Sequence, residues 1–315
     1  MNVVFFGTDD FAKEVLSYLL FKGINIVAVV TRPDKPKGRS GNATPPPVKE
    51  FVKSIEFHGV VYQPERASDK QFVNDIKNYN PDLFVVVSYG QIIKQNLLDV
   101  PKLGAINVHP SLLPKYRGPS PIQSAVLAGE KESGVTIMEM SLALDAGDII
   151  KSIKTDITDE MTFGELENVL CDLSKAPLFE TILEFEKNKF VEKYCQNESL
   201  ATYTKKISTE NSFINWNHSV CDIHNFIRGM SPSPGARCFI FSENKRKLIK
   251  ILRSKIIKID CCVESGTTLF FNKKDGWVVS CKDGAIQILD VQLEGKKKIK
   301  IIDFINGHTT PIICN

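Results

Sequence analysis

The sequence predicts an α/β protein, with a doubly wound parallel sheet followed by a smaller antiparallel β domain. Three observations carry that expectation. Apolar strands alternate with helix-period segments through the first half of the chain, the pattern of βαβ units. Leu83–Val87 is apolar without a break, as a strand buried on both faces requires. The last third instead holds short β-rich runs separated by Asp275-Gly276 and Asp283-Gly284, dipeptides that signal hairpins.

Taken in order, Asn2–Phe6 is the first strand and ends at Gly7. Phe11, Val15, Leu16, Leu19 and Leu20 then recur at helical spacing. Asn25–Val30, Leu83–Val87, Gly104–His109 and Val135–Met140 supply further strands of a Rossmann-like sheet. Thr31–Pro47 breaks the pattern with five prolines, two glycines and four basic residues. Loops of that length inside compact domains tend to be functional or disordered. Thr162–Lys187 has a helical period, and Pro177 is expected to split it in two. The pattern fades near Lys189–Ser208, so residues 1–189 are read as one domain, 190–208 as a linker and 209–315 as a second domain. There, Ser219–Gly229 is an amphipathic helix with Val220, Ile223, Phe226 and Ile227 on one face. Leu248–Leu252, Thr268–Phe271, Trp277–Cys281 and Ala285–Val291 form a small sheet or OB-like β-barrel, an architecture that often binds nucleic acids.

Composition narrows the function classes. A chain of 315 residues suffices for about two domains, each with its own core. Hydrophobic residues at 43% and charged residues at 24% exclude a disordered or collagen-like chain. No apolar run reaches the length of about 18 residues that a membrane helix needs. The N-terminus meets acid at Asp9 and Asp10 and does not read as a secretion signal, so a cytoplasmic location is expected. The eight cysteines form no C-x-x-C pair, which leaves a zinc site unsupported and favours reduced thiols. The net charge of +3 is uneven: residues 1–190 carry 21 basic and 25 acidic side chains, and residues 191–315 carry 19 and 12. The basic back half suits a polyanion, or is a surplus of solubilising lysines.

The most informative stretch is Ala105–Gly118. Strand alternation puts Asn107 and His109 on one face, and Pro110 and Pro114 end the strand in a loop. An amide donor and an imidazole are thus presented together near the edge where open α/β sheets bind ligands. The amide can hold an oxyanion and the imidazole can move a proton near neutral pH. Hydrogen bonds that merely shape a loop are the structural alternative. Asp145, in the turn-like stretch after Val135–Met140, can orient a His ring, and Asp148 is the alternative acid. Both also suit ordinary turn positions. Phe6–Phe11 occupies the place of a nucleotide-binding loop but lacks G-x-G-x-x-G. Its two carboxylates would compete with a pyrophosphate for the helix start, which argues against NAD.

Several segments occur in a specific order: Phe6-Gly7-Thr8, Thr31–Arg39, Pro45–Lys49, Ser88-Tyr89-Gly90, Asn107–Pro114, Arg117-Gly118, Pro121-Ile122-Gln123, Gly134–Met138, Leu144–Asp148, Pro234-Gly235-Ala236 and Glu294–Lys297. With these, nearly the whole chain resembles the methionyl-tRNA formyltransferases, within the wider family of formyltetrahydrofolate-dependent transferases. The resemblance implies transfer of a formyl group from 10-formyltetrahydrofolate to the amino group of initiator methionyl-tRNA. It places the catalytic Asn, His and Asp on Asn107, His109 and Asp145. It places folate contacts on Ser111, Leu112, Leu113 and Pro114, with Tyr89 and Gly90 beside them. It puts a tRNA-inserting loop on about Arg32–Val48, with Arg39 as its key arginine, and charge adds Lys35 and Lys37 on that loop as further phosphate partners. On charge, Lys296–Lys298 and Lys300 are additional candidates, and a solvated lysine run is the more common reading of any single one. The implied enzyme is a monomer with tRNA and folate as partners, and uses no metal, NAD or membrane. One departure is Pro232-Ser233-Pro234, where the family often has Pro-Trp-Pro. A small-amine formyltransferase would share the Asn-His-Asp set without needing the basic back half. A catalytically inert tRNA-binding module would not need that set.

Overall fold

The computed structural model describes residues 1–36, 41, 43–242, 245–259 and 263–314. The chain divides into two compact units. One comprises residues 1–121, 133–155 and 167–204, and the other residues 122–132, 156–166 and 205–315.

The first unit is built on a seven-stranded sheet of order β5-β2-β1-β6-β7-β8-β9. β1 (Val3–Gly7) is buried throughout and pairs in parallel with β2 (Ile26–Val30) and β6 (Leu83–Val87). Its alternation sends Val4 and Phe6 into a cluster with Ala28, Val30, Phe72 and Phe84, and Val3 and Phe5 to the opposite face. α1 (Asp10–Phe21) starts at Asp9, whose carboxylate accepts the Ala12 N–H at 3.0 Å, and buries Phe11, Val15, Leu16 and Leu19. The protein's own carboxylate therefore fills the helix start that a pyrophosphate would need. Between β2 and α2 (Pro47–Ser54) lie two short paired strands, β3 (Lys35–Pro36) and β4 (Ala43–Thr44). β5 (Val60–Tyr62), α3 (Lys70–Lys77), α4 (Gln95–Leu98) and β7 (Ala105–His109) complete the parallel part.

Beyond β7 the sheet departs from pure parallel order. After α5 (Pro121–Leu127), β8 (Glu132–Glu139) runs antiparallel to β7, with His109 opposite Thr136 and Ile106 opposite Glu139. β9 (Ile149–Asp156) returns beside β8, and the Glu139 N–H meets the Asp148 carbonyl at 2.9 Å. Antiparallel neighbours need no crossover helix, so a hairpin closes this end of the sheet. α6 (Phe163–Asn188) is one continuous helix with Pro177 inside it, contrary to the expected break. The missing N–H is outweighed by the buried side chains on both sides, Leu166 and Leu170 before it and Leu178, Ile182 and Phe185 after it.

In the second unit, Ser219 caps α7 (Val220–Met230) by accepting the Asp222 N–H, and Ile223, Ile227 and Met230 enter the core. The sheet has the order β12-β13-β14-β11-β10-β16, and β15 (Ile299–Lys300) pairs with β14. Its strands are β10 (Ala236–Ser242), β11 (Lys245–Ile257), β12 (Thr268–Asn272), β13 (Gly276–Cys281), β14 (Gly284–Leu293) and β16 (Ile312–Cys314). Register shifts on either side of Arg253 bend the 13-residue β11, as curling a sheet requires. The Thr268 hydroxyl donates to the Pro311 carbonyl at 2.9 Å and brings the two ends of the order together, so the barrel is nearly closed. α8 (Ile301–Gly307) plugs it with Phe304, stacked on Trp277 at 5.9 Å. Lys298 and Lys300 both pair with buried Asp290, at 2.7 and 2.9 Å, so these two lysines already neutralise an internal charge.

Candidate active site

Strand β7 presents Asn107 and His109 on one face, as its alternation dictates. Asn107 is half-buried and His109 is buried. The Nε2 of His109 lies 2.9 Å from the Tyr116 carbonyl. A carbonyl only accepts, so Nε2 carries a proton and Nδ1 is the lone-pair nitrogen of the neutral ring. Nδ1 faces Asp145 Oδ2 at 3.7 Å. Burial holds His109 below the usual imidazole range, against the pull of Asp145 and the bond to Tyr116. Burial thus favours the neutral ring, in which Nδ1 is a proton acceptor beside a carboxylate.

Asp145 is held by features of the loop between β8 and β9. The Gly118 N–H donates to its Oδ2 at 2.7 Å. Its backbone has φ +49°, a left-handed conformation uncommon for a residue with a side chain. At Gly147 a Cβ would stand 1.8 Å from the Glu139 carbonyl oxygen, so only glycine lets the loop lie this close to β8. Asp148 has a different partner, the Cys195 thiol, whose pKa its carboxylate raises. Of the two acids the sequence offered, Asp145 is the one brought to His109.

A brace around this pair was not anticipated. Arg117 is fully buried, and its guanidinium donates to Gln196 at 2.7 and 3.1 Å and to Glu198 at 2.7 and 2.9 Å. Gln196 in turn donates to the carbonyls of Asp145 and Gly147, at 2.9 and 2.7 Å. The Thr204 hydroxyl donates to the Arg117 carbonyl. Gln196, Glu198 and Thr204 lie in the stretch read as a linker. The sequence signals only Arg117-Gly118, one of the segments that carry the family resemblance, and names no partner for it.

The segment expected to meet folate is also ordered by its own contacts. Thr136 accepts the Leu113 N–H at 3.1 Å and donates to the Ser111 carbonyl at 2.7 Å. The Ser111 hydroxyl donates to the Lys115 carbonyl, and Leu113-Pro114 is a cis peptide. Leu112 packs against Gly134, where a Cβ would come within 2.5 Å of it. Tyr89 is buried against Phe6, and its hydroxyl is one of the buried groups without a hydrogen-bond partner among the described residues. Gly90 has φ +76° beside the Arg32 guanidinium. Arg32 and Lys35 line a cavity of about 440 Å³ with Arg66, Gln91 and Lys94. Its lining does not include Asn107, His109 or Asp145, so it adjoins the Tyr89-Gly90 segment rather than the catalytic candidates. Lys35 itself is exposed on β3, and Lys37 and Arg39 lie outside the described residues.

Comparison with known proteins gives this geometry its family. A family model described as formyl transferase matches residues 1–182, and one described as formyl transferase, C-terminal domain, matches residues 206–309. The chain belongs to the formyl transferase family. Among curated relatives, a methionyl-tRNA formyltransferase from Protochlamydia amoebophila is 44% identical over 98% of this chain and 95% of its own length. Another, from Dictyoglomus thermophilum, is 39% identical over 98% of this chain and 97% of its own. Among solved structures, HypX from Aquifex aeolicus in complex with tetrahydrofolic acid superposes with a TM-score of 0.66 at 16% identity, over 96% of this chain and 46% of that one. WlaRD, a sugar 3N-formyl transferase, reaches 0.65 at 20% identity, over 94% and 99%. At these identities the structures establish the formyl transferase fold.

Proposed function

We infer that this formyl transferase moves the formyl group of 10-formyltetrahydrofolate onto the free amino group of the methionyl moiety of initiator methionyl-tRNA. The observation that carries the reading is that relatives bearing that name match both halves of the chain at up to 44% identity. The barrel half is thus retained as well as the half that holds His109.

In this reading the amine attacks the formyl carbon, a C–N bond forms and an oxyanion develops. Asn107 donates to that oxyanion. His109 Nδ1 takes the proton that the attacking amine loses, and Asp145 stabilises the resulting imidazolium. The C–N bond to the folate then breaks, and the imidazolium returns the proton to the leaving nitrogen. Ser111–Pro114, Tyr89 and Gly90 hold the folate. Arg39, Lys37 and Lys35 on the 32–48 loop meet tRNA phosphates. We assign catalysis to residues 1–189 braced by 196–204, and tRNA docking to residues 209–315, in a cytoplasmic monomer.

The deciding experiment offers 10-formyltetrahydrofolate with charged initiator tRNA, charged elongator tRNA or an amino-sugar nucleotide. Formylation of initiator methionyl-tRNA well ahead of the others is expected. Preference for the amino sugar would overturn the reading.

A further inference from the structure

We propose that the outward face of β10 and β11 is an RNA-docking surface, taking a phosphate between Arg237 and Lys250 and an unpaired base on the aromatic planes beside them. This rests on the tRNA reading for its partner and extends it to named residues of the barrel.

Strand alternation sends Ala236, Cys238 and Ile240 inward to the core, and Arg237, Phe239 and Phe241 outward. The antiparallel ladder sets Arg237 opposite Lys250, Phe239 opposite Leu248 and Phe241 opposite Arg246. Like charges directly opposed in a ladder destabilise it, yet Arg237 and Lys250 are placed that way. Lys250 is held below its ordinary range by burial and by Arg237. The Arg237 Nε is buried without a hydrogen-bond partner among the described residues, a donor left open. Glu210 is the acid whose carboxyl senses Arg237. An anion bridging Arg237 and Lys250 would relieve the repulsion.

Beside this pair stands a stack of planes. The Arg246 guanidinium carbon lies 3.8 Å from the centroid of the Phe239 ring, and the Phe213 ring stacks on Phe239 at 5.5 Å and 24°. Phe213 and Phe241 remain 43% and 40% exposed. Clustered cations next to exposed aromatic planes suit unpaired RNA, whose phosphates need charge and whose bases need π faces. An acidic peptide would satisfy the cations and leave the planes unused.

The test is equilibrium filter binding of the full chain to uncharged initiator tRNA over a salt series. Lys250→Gln is expected to make the slope of log affinity against log salt shallower by about one. Phe241→Ala is expected to weaken binding about tenfold with little change in slope, and Phe241→Tyr to restore it. Arg246→Lys keeps the charge, loses the plane, and is expected to follow Phe241→Ala. Thermal melting confirms that each variant is folded. Wild-type affinity and slope in Lys250→Gln and Phe241→Ala would overturn the proposal. So would variants that lose binding to poly-glutamate but not to tRNA, which would give the surface to an acidic protein. A wild-type chain that binds tRNA but does not formylate it overturns the proposed function alone, because this test reads binding without turnover.

Discussion

His109 sits between two oxygen atoms of different kinds, a carbonyl at Nε2 and a carboxylate at Nδ1. That arrangement gives the first two predictions. Asn107→Ala should lower kcat by about 10²–10³, the usual cost of removing an oxyanion donor, with a smaller change in folate affinity. Asp145→Asn should lower kcat and also move the acid limb of the pH–rate profile. Because burial depresses the His109 pKa and Asp145 raises it, losing the carboxylate shifts the limb to lower pH. A limb that stays put would remove Asp145 from the role of partner to His109. At this scale the sequence was informative where a short-range rule applies. Asn107 and His109 are two residues apart on a strand, so their shared face follows from the pleat. The Arg117 brace was not legible, because Gln196 and Glu198 lie 79 and 81 residues away and follow no period.

The elements explain why the site holds its shape. Gly147→Ala should destabilise the protein by about 1–3 kcal/mol and depress turnover, since a methyl group 1.8 Å from a backbone carbonyl must push the Asp145 loop off β8. Chemical denaturation and kcat measured on one preparation would check both effects. In α6, burial and the neighbouring Asp9 and Asp10 push the Glu167 carboxyl up to about 7. A folded-state pKa above the unfolded one contributes stability below the unfolded value near pH 4.5, and that contribution is lost as pH rises through about 7. Glu167→Gln should therefore raise Tm relative to wild type at pH 8, and the difference should shrink toward pH 5. A constant difference would remove Glu167 from the pH dependence. Strand positions were legible because buried parallel strands are uninterrupted apolar runs. The antiparallel turn of the sheet at β8 and the continuity of α6 through Pro177 were not legible. Both depend on tertiary partners that local propensity does not see.

Across the whole molecule, charge is placed where its net total hides it. The acidic first half carries the basic 32–48 loop, and two lysines of the basic second half are committed to Asp290. The KM for tRNA should therefore rise steeply with salt while the KM for folate changes little, as steady-state assays at two ionic strengths would show. The two-part architecture was legible from the change of texture between halves, but the supporting role of the stretch that joins them was not. The Arg117 brace has a practical consequence for dividing this protein. A fragment ending at residue 189, just past α6, would include Asn107, His109 and Asp145. It would leave Arg117 buried without Gln196 and Glu198, and the Asp145 loop without its two carbonyl tethers. An autonomous catalytic fragment has to extend through about Thr204, and a protease that nicks the 190–204 stretch should silence the chemistry without touching any catalytic candidate.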